Sequence, residues 1–488
     1  MSSLINPFEA IRTGIPRRAF LKTVLATSAL AGMPGFAAEK KAKTEKAAPA
    51  PVEKVPASER VNLACIGIGN RGGEDVMSMA KTGHANMVAL CDVDMGASHT
   101  QKVLKQFPDA PKFQDFREML EKMDKQIDAV CIGVPDFSHF PIAMMAMKMG
   151  KHVYVEKPMA HTFQEVELMM AAAKKYSVAT QMGNQGHSGE NYFQFKAFVE
   201  AGIIKNVTKI SAFMNGKRRW HGMDVSGLPA EEPIPTTLNW DEWLATAQFH
   251  KFNKKYVNGD WRCWYDFGNG ALGDWGAHIL DTAHQFLDLG LPEEVSAVHL
   301  DGPNAFIFPQ ASTLSFKFPA RASMPPVEVT WYDGMKNFPP LPNDFGEAVV
   351  DKDIPPPANG KIDTKVAPGK VIYGEGLTFK GGSHSSALKI IPDSKAKEMA
   401  SKLPEYSKKN SDHHKNFLLA CKGKEQCRSS FDIAGPLSQV LVLGVIAQRL
   451  NTKLTFDRAT KQITNNKIAN DLLIGPPPRQ GWEQYYKV

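Results

Sequence analysis

The 488-residue sequence predicts an α/β chain in two parts. A doubly wound parallel sheet comes first, and an α+β domain with a large open, mainly antiparallel sheet follows. Three observations predict this. From Val61 to Met182 short apolar runs alternate with helix candidates, the pattern of strands covered by helices on both faces. A glycine-rich turn, Gly67-Ile68-Gly69-Asn70-Arg71-Gly72, sits between the first strand candidate and the first helix candidate. After about residue 185 the pattern becomes apolar alternation at period two, with long loops between the runs.

Composition bounds the rest. Apolar content of 43% and charged content of 22% fit a soluble globular chain large enough for two or three domains. Lys40 to Lys46 and the N-terminal region supply much of the net charge of +7. No basic stripe interleaves with aromatics, so no nucleic-acid partner is expected. Six cysteines are too few for a disulfide framework. Cys65, Cys91 and Cys131 fall in apolar runs that read as buried strands, whereas Cys421 and Cys427 are close enough in sequence to pair, which the sequence leaves open.

The N-terminus reads Arg17-Arg18-Ala19-Phe20-Leu21-Lys22, then a modest apolar stretch from Thr23 to Gly32, then small residues at Gly35, Ala37 and Ala38. The apolar stretch is too short to span a membrane. It fits a twin-arginine signal over 1–38, followed at 39–58 by an Ala-, Lys-, Glu- and Pro-rich disordered tether. The expected partner is the twin-arginine export machinery, and the expected location is the periplasm or another exported compartment.

Residues 59–184 form the first domain. Val61 to Ile68 is short enough for a buried strand, and a helix candidate runs from Gly73 to Lys81. Met87 to Cys91 is the second strand candidate and ends at Asp92, 20 positions after Gly72 (92 − 72). That is the spacing of a carboxylate that accepts from a ribose 2′-hydroxyl, while the glycines let a pyrophosphate approach a helix N-terminus. The expected ligand is therefore a dinucleotide in a Rossmann-type fold, NAD in preference to NADP. Asp92 would repel a 2′-phosphate, and Arg71 could offset part of that. The alternation continues through Ala129 to Val134, a helix from His139 to Met149, His152 to Val155, a helix from Thr162 to Tyr176, and Val178 to Met182. Ligands of such sheets bind beyond the carboxyl ends of the strands. The candidate cofactor residues are Gly67, Gly69, Asn70, Arg71, Gly72, Asp92, Pro135, Asp136, His139, Glu156, Lys157 and Asn184. Lys157, between Glu156 and Pro158 at a strand end, can hold a substrate hydroxyl and ease its deprotonation, or can be a surface partner of Glu156.

Residues 185–430 form the second domain. Strand candidates are Val207 to Met214, Glu294 to His299, Thr313 to Phe318 and Val327 to Trp331. The long loops Asn215 to Trp240, Asn253 to Asn269 and Asn337 to Lys370 suit binding. Trp220, Trp261, Trp264 and Tyr265 suit stacking on a sugar, or the core. His187, Trp261, Arg262 and Tyr265 are the candidate substrate contacts. In Gly270 to Asp281, the residues Asp274, His278 and Asp281 lie at i, i+4 and i+7 and would share one helix face. They read as a proton-transfer pair or as a capped helix start. A metal site, adding His284, lacks a Cys/His cluster or HExxH spacing, so no metal is expected.

The Gly67 to Gly72 turn, Glu156-Lys157-Pro158 and the helix with Asp274 and His278 together resemble the glucose–fructose oxidoreductase, inositol dehydrogenase and rhizopine-catabolism (Gfo/Idh/MocA) family, from about Val61 to Trp482. The resemblance extends to secreted members with a twin-arginine signal. It implies a C-terminal segment, 431–488, with helices near Ala434 to Arg449 and a tail near Asp471 to Trp482 that packs back on the core. It implies Lys157, Asp274 and His278 as the catalytic trio, Asn184 framing the nicotinamide, and a homo-oligomer through the open sheet face. The expected activity is that of an NAD-dependent oxidoreductase acting on a hydroxyl of a sugar, polyol or glycoside, with a tightly bound, recycled cofactor. One alternative is the branch of NAD-dependent glycosidases that oxidise C3, eliminate the aglycone and add water. The chain departs from the α-N-acetylgalactosaminidases of that branch, which lack the Lys of Glu-Lys-Pro. A second alternative is a non-catalytic sugar-binding protein.

Overall fold

A computed structural model describes residues 55–488 apart from 323, 336, 343–344, 346–365, 385 and 409. The expected signal at 1–38 and the tether up to residue 54 lie outside the described residues, as does most of the loop expected at 337–370. Residues 55–58 are described and are tied down. Val55 is buried, its carbonyl accepts from Arg60 Nε at 2.9 Å, and Ala57–Glu59 forms a 3-10 turn.

The first sheet runs β1 (Val61–Ile66), β2 (Ala85–Cys91), β3 (Lys112–Phe113), β4 (Ala129–Ile132), β5 (His152–Glu156) and β6 (Thr180–Gly183) in the order β3-β2-β1-β4-β5-β6. The pairings are all parallel. Helices cover both faces, so the strands are buried on both sides and read as continuous apolar runs. The expected doubly wound sheet is borne out. The order reverses between β1 and β4, and the chain turns there at Gly67 and Gly133.

The first helix is Asn70–Lys81 and starts a turn earlier than the Gly73 expected. The cause is close packing. A Cβ on Gly72 would lie 2.0 Å from the Gly67 carbonyl oxygen, and a Cβ on Gly133 would lie 2.4 Å from Gly72 Cα. The glycines thus let the helix N-terminus press against the strand ends. Gly67 itself has φ +76°, a conformation open to glycine at little cost.

Helix Phe163–Tyr176 begins with a capping box between Thr162 and Glu165. Glu165 also accepts from Tyr486 Oη at 2.9 Å. Burial pushes its carboxyl up to about 7, against the hydrogen bonds it accepts from Tyr486, Thr162 and His161. An acid whose folded value is raised contributes stability below its unfolded value, near 4.5, and loses it as the pH climbs through about 7. Wild type should therefore lose ground to Glu165→Gln between pH 5 and pH 8 in thermal melts. A constant gap would show that Glu165 ionises alike in both states.

The second sheet is mixed and mainly antiparallel, as expected. Among the described residues it holds β7 (Lys209–Met214), β8 (Glu294–Asp301), β9 (Ala311–Phe318), β10 (Val327–Asp333), β11 (Gly369–Tyr373), β12 (Thr378–Gly382), β13 (Lys389–Ile391), β14 (Lys453–Asp457) and β15 (Gln462–Ile463). The order is β13-β12-β11-β7-β10-β9-β8-β14-β15, and only the β7–β10 pairing is parallel. The segment 431–488 thus adds two strands to this sheet besides its helices.

Helix Phe431–Leu450 is long and apolar enough to cross a membrane, but it packs against helix Phe163–Tyr176 and strands β8 and β9 with most of its residues buried. Its apolar character is that of a core helix. The C-terminal tail places Trp482 and Tyr485 on Phe116, and Tyr486 on Phe140. Cys421 and Cys427 are free thiols.

Candidate active site

Two cavities lie beyond the carboxyl ends of the first sheet. The first is lined by Gly67, Gly69, Asn70, Arg71, Asp92, Pro135, Asp136, Glu156 and Lys157, and by Pro235, Leu238, Glu242, Trp243 and Ala245 of the second domain. The second is lined by Lys157, Arg218, Arg262, Asp274, His278 and His384, among others. They share Asn70, Arg71, Glu156, Lys157 and Arg262, so Lys157 stands at their junction.

The first cavity fits a dinucleotide. Its floor is the bare backbone of Gly67 and Gly69 leading into the N-terminus of helix Asn70–Lys81, where unpaired N–H groups and the helix dipole favour a phosphate. Asp92 lines it with its carboxylate positioned by Ile68 N–H at 2.9 Å and Asp94 N–H at 3.0 Å. Each carboxylate oxygen keeps a further acceptor site for a ribose hydroxyl.

Lys157 follows β5 and donates to the Asp274 carbonyl at 2.9 Å and to its carboxylate. Asp274 also takes Arg218 at 3.2 Å and Arg262 at 3.6 Å. Burial pushes the Asp274 carboxyl up, but Lys157, Arg262 and Arg218 together hold it well below the usual carboxylate range. It is therefore an anion throughout the neutral range. Two glycines make this meeting possible. A Cβ on Gly273 would lie 2.2 Å from Asn269 Cβ and 3.5 Å from Pro158 Cγ, and one on Gly276 would lie 2.6 Å from Leu441 Cδ2. The segment is wedged between the Lys157-Pro158 turn and helix Phe431–Leu450.

The expectation that Asp274, His278 and Asp281 share one face is corrected. Leu272–Gly276 is a π-helical turn, which inserts extra residue spacing before the α-helical turns Ala277–Ile279 and Asp281–Phe286. Asp274 faces Lys157, whereas Asp281 turns away and lies 2.7 Å from His187 Nδ1. His278 is buried, and its Nδ1 has no hydrogen-bond partner among the described residues. Its ring stacks on His384 with centroids 4.0 Å apart. Burial, Lys157 and His384 push its pKa well below the usual histidine value, so it is neutral at pH 7.

Residues 60–184 match the family model described as an oxidoreductase family, NAD-binding Rossmann fold, and residues 193–305 match its C-terminal alpha/beta domain. The chain belongs to the Gfo/Idh/MocA oxidoreductase family. It is 33% identical over 165 residues to "Glycosyl hydrolase family 109 protein 2" of Shewanella sp. (strain ANA-3), covering 32% of this chain and 36% of that one. It is 25% identical over 201 residues to a scyllo-inositol 2-dehydrogenase (NADP(+)) of Bacillus subtilis, covering 41% and 45%. The matches thus span less than half the length of these curated relatives. In fold it is similar to the WlbA dehydrogenase of Bordetella pertussis, solved with NADH and UDP-GlcNAcA. That likeness has a TM-score of 0.52 at 15% identity and covers 82% of this chain and 99% of that one.

Within this Gfo/Idh/MocA fold several expected site residues take other places. Arg71 lines both cavities, but its guanidinium is held by Asp75 at 2.5 Å, Glu74 at 2.8 Å and Glu156 at 3.2 Å. It is not free to neutralise a phosphate near Asp92. His139 is fully buried between the carbonyls of Pro158 and Val134, each 2.9 Å away, and ties the Lys157 turn to the Pro135 turn without lining either cavity. Gly72 acts through packing, as above. Asn184 is buried with its Oδ1 on Ser429 Oγ at 2.7 Å, and its neighbour Gln185 lines the second cavity instead. His187 is fully buried between Asp281 and the Arg428 carbonyl. Tyr265 packs on Phe308 in the core, and Trp264 is buried with its Nε1–H on the Lys255 carbonyl. The polar atoms of His139 and His187 are satisfied by groups from distant segments, whereas Asn184 Nδ2 has no hydrogen-bond partner among the described residues. Trp261 and Arg262 do reach the first cavity, and Asp136 lines it while accepting from Asn269 N–H at 3.2 Å. Sequence reasoning missed Arg218 and His384. Arg218 sits in a loop marked only by its length, and His384 in a Gly381-Gly382-Ser383-His384 turn without periodic signal.

Proposed function

We propose that the protein is an NAD-dependent oxidoreductase acting on a hydroxyl of a sugar, polyol or glycoside, with a tightly held cofactor that is recycled in each cycle. The observation that carries this is the convergence of Lys157, Asp274 and a neutral His278 on a cavity that opens onto the dinucleotide cradle. A nicotinamide dinucleotide held by the Gly67 to Gly72 turn and Asp92 would supply a reversible hydride acceptor for the hydroxyl-bearing carbon. The chain's residues do the rest. Asp274 orients the Lys157 ammonium and stays ionised. Lys157 keeps donor capacity for the substrate oxygen and stabilises negative charge on it. His278 takes the hydroxyl proton at a ring nitrogen. NAD is favoured over NADP because Asp92 faces the ribose end of the cradle and Arg71 is engaged by three carboxylates.

Tight retention is supported by a clasp over the first cavity. Asn239 N–H donates to the Val93 carbonyl at 2.8 Å, and Gln114 Nε2 donates to the Thr237 carbonyl at 2.9 Å. Arg117 pairs with Glu242. From the C-terminal tail, Arg479 Nε donates to the Ala245 carbonyl at 2.9 Å. Arg479→Ala should speed release of NADH severalfold in a fluorescence displacement experiment. An unchanged release rate would remove the clasp from the explanation. Export in the folded, loaded state is the corresponding reading of Arg17-Arg18, to the periplasm or its equivalent.

A second reading is a glycosidase that oxidises, eliminates and rehydrates, since that cycle needs no external acceptor and named relatives include glycosyl hydrolases. The test begins with protein purified without added cofactor, denatured and assayed by mass. Near-stoichiometric NAD is expected, with reduction of that cofactor by sugars seen at 340 nm in single turnover. Silence across sugars and polyols would overturn the first reading. Aglycone release from nitrophenyl glycosides would select the second.

A further inference from the structure

We propose that the saccharide taken by the second cavity carries an anionic group, a carboxylate or a sulfate ester, seated on Arg218 and Arg262. This rests on the proposed function in naming a saccharide, but the charge argument stands on the cavity alone. Among the described residues, six Lys and Arg side chains line it against two carboxylates, Glu156 and Asp274. Two of the six are engaged elsewhere: Arg71 by Glu156, Asp75 and Glu74, and Arg219 by Asp260 at 3.0 Å. That leaves Lys157, Lys217, Arg218 and Arg262, of which Lys157, Arg218 and Arg262 all pair with the one carboxylate of Asp274, while Asp136, Glu156 and Asp333 act on them only from farther off. Lys217 has no carboxylate partner among the described residues.

Several cations crowded on one contacting carboxylate in a partly buried cavity are better compensated when a further anion joins them. Arg218 marks where. Its side chain is 15% exposed, and its Nε is buried with no hydrogen-bond partner among the described residues. An unpaired buried donor of a charged group costs more than a neutral one, so such atoms normally point at a ligand or a water. Burial also depresses the Arg218 pKa against the pull of Asp274, the direction expected of an under-compensated cation. Both guanidinium groups lie over indole rings, Arg218 over Trp275 at 5.0 Å and Arg262 over Trp261 at 4.1 Å. The planar guanidinium fork suits the paired oxygens of a carboxylate or sulfate. A neutral sugar would occupy the cavity without answering this charge. Lys157 alone already serves the reacting oxygen.

The test is equilibrium binding to the NAD-loaded protein by calorimetry, with matched probes: D-glucuronate against D-glucose, D-galacturonate against D-galactose, and glucose 6-sulfate. The acidic member of each pair should bind about tenfold tighter or more, the size of one charge-assisted contact. The advantage should shrink as salt rises. Stronger binding of the uronates than of the sulfate would identify a carboxylate, and the reverse a sulfate. Arg218→Gln should weaken the acidic sugars far more than the neutral ones and so close the advantage. Lys217→Ala, an exposed position at the rim, should reduce it about threefold without touching the fold. Equal binding within every pair, or equal weakening of acidic and neutral members by Arg218→Gln, would overturn the proposal. Binding is read without turnover, so a protein that binds uronates but oxidises nothing would refute the proposed function and leave this inference standing.

Discussion

Replacing Lys157 by Met should lower single-turnover oxidation of the accepted sugar by about three orders of magnitude, within the range that positioned acid–base groups contribute. Met keeps the length and the apolar stem of the side chain and removes only the ammonium. Asp274 would retain Arg218 at 3.2 Å and Arg262 at 3.6 Å, so its charge stays compensated and the fold should survive. The dinucleotide cradle is built mainly from the Gly67 to Gly72 turn and Asp92, with Lys157 only at its junction with the second cavity, so NADH affinity should change far less than turnover. Turnover is read as absorbance at 340 nm, and cofactor binding as NADH fluorescence. A loss of turnover with intact cofactor binding is the expected pair of results. Turnover within tenfold of wild type would remove Lys157 from the chemistry and return it to the role of a partner for Asp274.

Asp274→Ala should be the most damaging single change to stability in the site, at about 3 kcal/mol or more, because it strands three cations around an empty space. Activity should fall as well, since Lys157 would lose the group that orients it. Asp274→Asn separates the two effects: it keeps the shape and one acceptor but not the charge. The pH dependence has a definite sign. A carboxyl held below its unfolded value contributes stability above that value, near 3.8, and loses it only as the pH falls through the depressed one. The gap in melting temperature between wild type and Asp274→Asn should therefore be constant from pH 8 to pH 5. A gap that closes by pH 5 would mean that Asp274 is not the buried anion described here. Partial rescue of Asp274→Ala turnover by added formate, a small anion able to enter the space, would support the charge as the lost function.

Much of the architecture was legible because it is written at short range. The buried strands of the first sheet are runs of four to seven residues, and burial on both faces makes them continuous and apolar. The Gly67 to Gly72 turn and the carboxylate at Asp92 follow from local spacing. The strands β11 to β15 were not anticipated, being short and broken by Gly and Lys. Lys370 and Lys380 sit buried in strands where a pattern reader expects apolar residues.

The site was legible in its members more than in their partners. Lys157, Asp274 and His278 stand out as chemistry-bearing residues near strand ends and in a glycine-rich helix. The same reading sent His187 and Tyr265 to the substrate, and they are core groups satisfied by Asp281, the Arg428 carbonyl and Phe308. A polar or aromatic side chain carries no local sign of which distant segment will satisfy it.

By itself, then, the sequence determined a parallel α/β sheet with a dinucleotide turn, an antiparallel sheet beyond it, and the residue types of a hydroxyl-handling site. These are properties of windows of about 5 to 20 residues, where periodicity and steric preference act. Tertiary structure alone decided that Asp274 meets Arg218 and Arg262 as well as Lys157, that a π-turn sends Asp281 away from it, and that His384 lies on His278. Those pairings join residues up to 117 positions apart. They depend on how closely helices and sheets approach once packed, a distance set by the whole core and by glycines such as Gly273 that leave room for it.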